Sequence, residues 1–203
     1  MQFHRALNEV FRSWTHVAVM RALQDTTVGF TGNQVAREAH MHPRSAFKAL
    51  GALEVLGLVH RRRGGRDHLF TLNRDHVLLA EGVIPVLEME SQMLERLRAV
   101  LRQLLSRKLV ACIIFGSVAR REENPESDVD LCCIVRNERE RTRVQDVLDA
   151  HGAQLFLMFG AKIAPTYFTE AEFRGKGRSP LVKEILADGT IVAGKFPGVA
   201  NHG

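Results

Sequence analysis

Two aspartates two residues apart, Asp128 and Asp130, stand at the head of an apolar stretch running from Val129 to Val135. On a strand, that spacing sends both carboxylates out of one face. Among Val129, Leu131 and Ile134 the two acids repel each other and resist losing water, and a shared divalent cation removes both penalties. Upstream, Gly116-Ser117 ends a second apolar run, Leu109 to Phe115. Glycine lets a backbone approach a ligand closely, and amides at the start of a helix attract phosphate. Metal-holding carboxylates facing a phosphate cradle suit transfer of a nucleotidyl group, in which metal ions hold a triphosphate and stabilise the departing pyrophosphate.

The elements that must position these groups can be read around them. Leu109 to Phe115 is a buried strand, and Ser117 is placed to cap a short helix through Val118, Ala119 and Arg120. A polar loop containing Pro125 and Ser127 leads into the second strand. The composite Gly116-Ser117-x-Ala119-Arg120, then Ser127-Asp128-x-Asp130-Leu131, resembles the signature of the minimal nucleotidyltransferases of the DNA polymerase β-like superfamily. The resemblance implies Asp128 and Asp130 as catalytic metal ligands, and Gly116, Ser117, Arg120 and Ser127 as the nucleotide contacts. It also implies Mg2+ in a two-metal arrangement, with Mn2+ as a substitute, and a nucleoside triphosphate as substrate or ligand.

Two departures from the family pattern bear on activity. The family often has glycine after the arginine, where this chain has Arg121. Its active members add a third carboxylate from a later strand, whereas the candidate strand here, 162–168, holds no acid; Glu170 and Glu172 follow it. Binding of metal and nucleotide is therefore expected with little or no turnover. The alternative is an active enzyme moving a nucleoside monophosphate to a protein, nucleic-acid or small-molecule hydroxyl.

Charge divides the chain. Residues 1–78 carry 11 Lys and Arg against 6 Asp and Glu, while residues 79–203 carry 17 against 17. The positive excess thus belongs to the first third, which points to a polyanionic partner for that part. There the apolar residues Leu7, Val10, Phe11, Trp14 and Val17 suggest one amphipathic helix from Phe3 to Leu23. Thr31-x-x-Gln34 reads as a capping box, Pro43 as the first residue of a third helix, and Gly57 as its stop. Leu58-Val59-His60 and Leu69-Phe70-Thr71-Leu72 read as strands joined by an arginine-rich link tipped by Gly64-Gly65.

This succession, and the phrase LGALEVLGLVHRR in particular, resembles the winged helix-turn-helix of bacterial transcription regulators. It implies duplex DNA as partner. Arg44, Ser45, Phe47 and Lys48 would face base edges, and Arg61, Arg62, Arg63 and Arg66 would meet phosphates or the minor groove. His40, His42, His60 and His68 match no usual zinc-ligand spacing.

Pro85 opens a long helix reaching about Arg107, whose apolar stripe includes Val86, Met89, Met93, Leu97, Val100 and Leu104. A homodimer through the 83–106 helix is expected, since two-fold DNA sites call for paired readers. Beyond Val135, Asn137 is a helix cap, Gly160 a stop signal, and 162–169 a third strand in which Pro165 marks a bulge or an edge. Two short helices and a last short strand, Thr190 to Ala193, complete the pattern.

The fold class is α+β: an N-terminal winged helix-turn-helix (1–78), a linking helix (79–107), and a small mixed sheet with helices of nucleotidyltransferase type (108–194). A flexible tail is expected at 195–203. No apolar run approaches a membrane span and the first five residues do not open a signal peptide. The three cysteines, Cys112, Cys132 and Cys133, all fall on the proposed core strands, as reduced thiols would in a cytoplasmic protein. The reading is a DNA-binding transcription regulator carrying a nucleotide-binding domain.

Overall fold

The computed structural model describes residues 3–105 and 109–196. The expected end of the long helix at Arg107 and all of the tail from residue 197 onward lie outside the described residues. The chain forms two compact units, residues 1–91 and 92–203.

The first unit opens with α1 (Ala6–Val10) and α2 (Trp14–Leu23), not the single helix suggested by periodicity. The break falls at Ser13, whose extended backbone and side-chain oxygen cap α2 by accepting from the Thr15 N–H at 3.2 Å. With the axis broken, Val10 is buried while Leu7, Phe11 and Trp14 remain exposed at 52, 45 and 66 %. A short strand that the pattern did not announce, β1 (Phe30–Thr31), leads into α3 (Gly32–Glu38). The capping box forms as expected: Gln34 N–H donates to Thr31 Oγ1 at 3.3 Å, and Thr31 N–H to Gln34 Oε1 at 2.7 Å.

Pro43 starts α4 (Pro43–Val55), His42 accepts from the Arg44 N–H, and Gly57 at φ +76° follows the helix end. The hairpin strands β2 (Val59–Gly64) and β3 (Asp67–Leu72) are longer than the apolar residues alone suggest, and β1 adds to β3 in an antiparallel sheet of order β1-β3-β2. Arg61, Arg62 and Arg63 therefore lie within β2, paired with Phe70, Leu69 and His68, instead of in a connecting loop. Val19, Met20, Leu23, Val35, Leu50, Leu53, Leu58 and Phe70 form the core.

A π-helical turn, Leu79–Val83, feeds α5 (Ile84–Leu105). Ile84 and Leu87 belong to the first core, and Leu97, Leu101 and Leu105 to a core of the second unit. That unit contains β4 (Ala111–Phe115), α6 (Gly116–Arg120), β5 (Val129–Val135), α7 (Glu138–Phe159), β6 (Ile163–Thr169), α8 (Glu170–Gly175), α9 (Pro180–Asp188) and β7 (Thr190–Gly194). The sheet order is β6-β5-β4-β7, with β5 and β6 parallel and the other pairs antiparallel. Strand alternation splits β5 between two cores: Leu131, Cys133 and Val135 pack with α5 and α7 residues, Cys132 and Ile134 with residues of α8 and α9.

Both sheet edges are blunted. β6 carries Pro165, which an edge strand tolerates. Along β7, Arg98 donates to the Ile191 carbonyl at 2.6 Å and Arg102 to the Val192 carbonyl at 2.9 Å.

Trp14 is the single tryptophan, in the first unit, and Tyr167 the single tyrosine, in the second. Thr31→Ala removes one half of the α3 capping box and should lower the stability of the first unit by about 1 kcal/mol. Urea unfolding followed by Trp14 fluorescence should shift to lower midpoint, with the Tyr167 transition unmoved. An unchanged Trp14 midpoint would refute the cap's contribution.

Candidate nucleotide and metal site

Register places the two sequence halves together. Phe115, the last residue of β4, pairs with Asp130 of β5, so Gly116 follows directly beside that carboxylate. Gly116 adopts φ +73°, and a Cβ built on it would lie 2.2 Å from Asp130 Oδ2. Here glycine is required twice, by the left-handed turn and by the approach of backbone to carboxylate. Asp128 is exposed and Asp130 half-buried. Asp130 leaves β5 on the face that α9 covers further along the sheet.

Ser117 does not cap the helix as expected. Helix α6 already begins at Gly116, its cap position is Phe115, and no side chain caps it. The physical reason is the turn at Gly116, which carries the chain into the helix two residues early. Ser117 instead offers its carbonyl to the Glu122 N–H at 2.9 Å. Arg121 sits at φ +59°, the left-handed conformation that glycine accepts without cost, at the position where the family often has glycine. The Ser127 hydroxyl accepts from the Asn124 N–H at 3.0 Å and the Ser127 N–H donates back to the Asn124 carbonyl, so this serine closes the loop ahead of Asp128.

Arg120 meets three carboxylates. Its Nε donates to Glu122 at 2.9 Å, its Nη1 to Glu184 at 2.7 Å, and Asp188 stands 3.6 Å from Nη1. These bonds favour the charged guanidinium and raise its pKa further. Sequence reasoning missed Glu184 and Asp188. They lie one turn apart on α9, and no local spacing connects them with an arginine more than sixty residues earlier.

Burial pushes the Asp130 carboxyl upward, the charges of Glu184 and then Asp128 push it further, and Arg120 opposes them. On β6 the residue beside Asp130 is Ala164. The strand carries no acid, and among the described residues no group of three or more His, Cys, Asp and Glu is gathered to hold a metal ion.

The basic residues of the first unit divide. Arg44 and Lys48 project from the exposed side of α4, Ser45 is half-buried, and the Phe47 ring lies where a Cβ on Gly32 would be. On the hairpin, Arg61 and Arg63 leave one face of β2 and Arg62 the other. Arg61 pairs with Glu54 at 3.2 Å, and Arg62 donates to the Val28 carbonyl. Arg63 and Arg66 are exposed with no partner among the described residues. A cleft of about 740 Å3 also opens in this unit, between the α1–α2 turn and the Ser45 and Lys48 side of α4.

The raised carboxyl of Asp130 has a consequence for stability. A carboxylate whose folded pKa exceeds its unfolded one penalises the fold above that window and costs nothing below it. Asp130→Asn should therefore stabilise the ligand-free protein at neutral pH, by a small margin because solvent screens this partly exposed group. The gap should close as pH falls through the carboxylate range. Thermal unfolding of both proteins across pH 3–8 measures it; a variant less stable than wild type at neutral pH would refute the account.

No curated protein matches the chain. A family model described as nucleotidyltransferase domain matches residues 94–192. The matched stretch takes in β4, α6, β5, β6, α9 and the start of β7, and with them Gly116, Asp128 and Asp130. Over those residues the second unit is similar to a nucleotidyltransferase domain.

Proposed function

We propose that this domain binds a nucleoside triphosphate together with Mg2+ and turns it over slowly or not at all, and that the first unit is a winged helix-turn-helix that binds duplex DNA. The protein is then a transcription regulator of the cytoplasm whose DNA-binding part, 1–78, is joined through the 79–107 helix to a nucleotide-binding part, 108–194. Among the described residues no helix is long and apolar enough to cross a membrane.

One observation carries the nucleotide reading: the carboxylate of Asp130 lies against the backbone of Gly116, with the charge of Asp128 near enough to act on it. Two hard oxygen donors at the rim of a sheet, open to water, fit Mg2+ or Mn2+ as a partial ligand set. Asp128 and Asp130 would hold the metal, which when bound neutralises phosphate charge and polarises the phosphoryl group. Gly116 leaves room for a phosphate beside the strand, and Arg120 supplies a fixed cation. Ser127 contributes by shaping the loop that delivers Asp128. Glu122, Glu184 and Asp188 surround the site's arginine, so an uncomplexed triphosphate meets net negative charge and needs its metal.

Little turnover is proposed because β6 brings Ala164, not an acid, alongside Asp130, leaving no strand carboxylate to take a proton from an acceptor hydroxyl. The second reading, an active transferase, is favoured by the intact Asp128-x-Asp130 pair and by Glu184, whose charge reaches Asp130 from α9.

The DNA reading is supported by α3, the turn at His40 and α4 followed by the β2–β3 hairpin, and by the positive excess confined to residues 1–78. The exposed Val86, Met89 and Met93, at 57, 51 and 37 %, repeat along α5 and support pairing of two copies.

Magnesium and triphosphate together should raise the melting temperature far more than either alone, since each completes the other's coordination. Replacing Asp128 and Asp130 by Asn should remove that synergy, and Gly116→Ala should weaken it by displacing the Asp130 carboxylate. Absence of synergy with all four common triphosphates would sink the nucleotide reading. Robust Asp128-dependent labelling of an acceptor by radioactive triphosphate would replace it with the transferase reading.

On the hairpin, Arg63 and Arg66 are the unengaged cations. Changing both to Ala should weaken duplex binding for every sequence and reduce the log–log salt slope by about 2. Arg44→Ala or Lys48→Ala should alter sequence preference. Fluorescence anisotropy at several salt concentrations reads both, and sedimentation of the complex counts the chains. Equal binding by the double variant at every salt would leave the hairpin without a role on DNA.

A further inference from the structure

We propose that Glu184 is a positioning residue for Arg120: from α9 it clamps the guanidinium so that the one nitrogen left over, Nη2, is held ready for a phosphate oxygen. The inference rests on the nucleotide-binding reading above and deepens it.

An arginine ending a five-residue helix has a long, freely rotating side chain, and binding a ligand would require ordering it. Here the ordering is done beforehand. Nε is held by Glu122 of the following loop at 2.9 Å and Nη1 by Glu184 of α9 at 2.7 Å. A planar guanidinium held at two different nitrogens by two different elements has its plane fixed. Nη2 meets no acceptor among the described residues, and it retains two donors suited to phosphate.

Glu184 can impose this orientation because its own place is fixed by the sheet. Val182 and Ile185 of α9 are fully buried, and Ile185 shares a core with Ile113 of β4. Just past the helix, a Cβ on Gly189 would lie 2.7 Å from the Ile113 side chain, so the helix end is seated directly on β4. Thr190 then pairs with Ile114. Glu184 therefore stands above the end of β4 that leads into Gly116. Both Glu184 and Arg120 act electrostatically on Asp130, with opposite signs, which places the pair within reach of the proposed metal-holding acid.

The alternative for Glu184 is to bind metal directly as the acid that β6 lacks. Among the described residues no three acids are gathered for a metal, so the carboxylate acts through the arginine it touches.

The test is a double-mutant cycle on the full chain, with inorganic tripolyphosphate and magnesium as the probe and calorimetric affinity as the readout. Glu184→Gln keeps the size of the side chain and removes the charge-assisted bond; affinity should fall roughly tenfold, the scale of one such bond. In an Arg120→Ala background the same change should have no further effect. Arg120→Lys keeps the charge but cannot be clamped at two nitrogens, so it should lose affinity similarly and provides the measurement should Glu184→Gln fail to fold. Wild-type affinity in Glu184→Gln or in Arg120→Lys would overturn the proposal, as would an equal loss from Glu184→Gln in both backgrounds, which would make Glu184 a direct ligand. Failure of the wild-type protein to bind magnesium tripolyphosphate or any magnesium nucleotide would defeat the nucleotide reading itself, and this inference with it.

Discussion

Two like charges, Asp128 and Asp130, must coexist at the head of a buried strand, and much of the second unit is arranged around that constraint. Strand β5 is one of the two inner strands of the sheet, with neighbours on both sides and a core on each face. Asp128 escapes by lying just before the strand, in water. Asp130 cannot, and the backbone of Gly116 closes over its carboxylate from the side. Its surroundings are mostly unfavourable to charge, since Glu184 and Asp128 both repel it and Arg120 alone attracts it. A fold selected only for stability would put an apolar residue there. Retaining the acid fits the cation-binding role proposed for it above.

The parts of this arrangement visible in the sequence were those encoded by neighbours along the chain. Asp130 near the head of its strand, Gly116 at the strand exit, Asn137 as a cap and Gly160 as a stop all depend on residues within one turn or one strand. The Arg120–Glu184 pair depends on α9 returning across the sheet to sit beside α6, and only the strand order specifies that return. The role given to Ser117 failed for a related reason: the left-handed turn at Gly116 shifts the helix start by two residues, and helix propensity does not report backbone angles. Similarly, the absence of an acid on the third strand was legible, but that Ala164 is the residue beside Asp130 required the register.

In the first unit, the capping box of Thr31 and Gln34 and the proline start of α4 followed from local chemistry, whereas the expected first helix did not survive. Its apolar spacing was real, but Ser13 offers the chain a helix start in mid-stripe, and the local cap prevailed over periodicity. The arginine-rich link was read as a loop because arginine has modest strand propensity. Pairing with β3 overrides that preference, and the resulting alternation separates Arg62 from Arg61 and Arg63.

The two arginines on β7 have an effect on the protein's behaviour in a crowded solution. An uncovered sheet edge is a template onto which any extended chain can add, including a half-made copy of the same protein. Arg98 and Arg102 occupy the Ile191 and Val192 carbonyls with their own N–H groups, and Pro165 removes a donor from the opposite edge. The same guanidinium groups that secure α5 to the sheet thus act as gatekeepers against polymerisation. The domain is thereby kept from recruiting strands along its flanks.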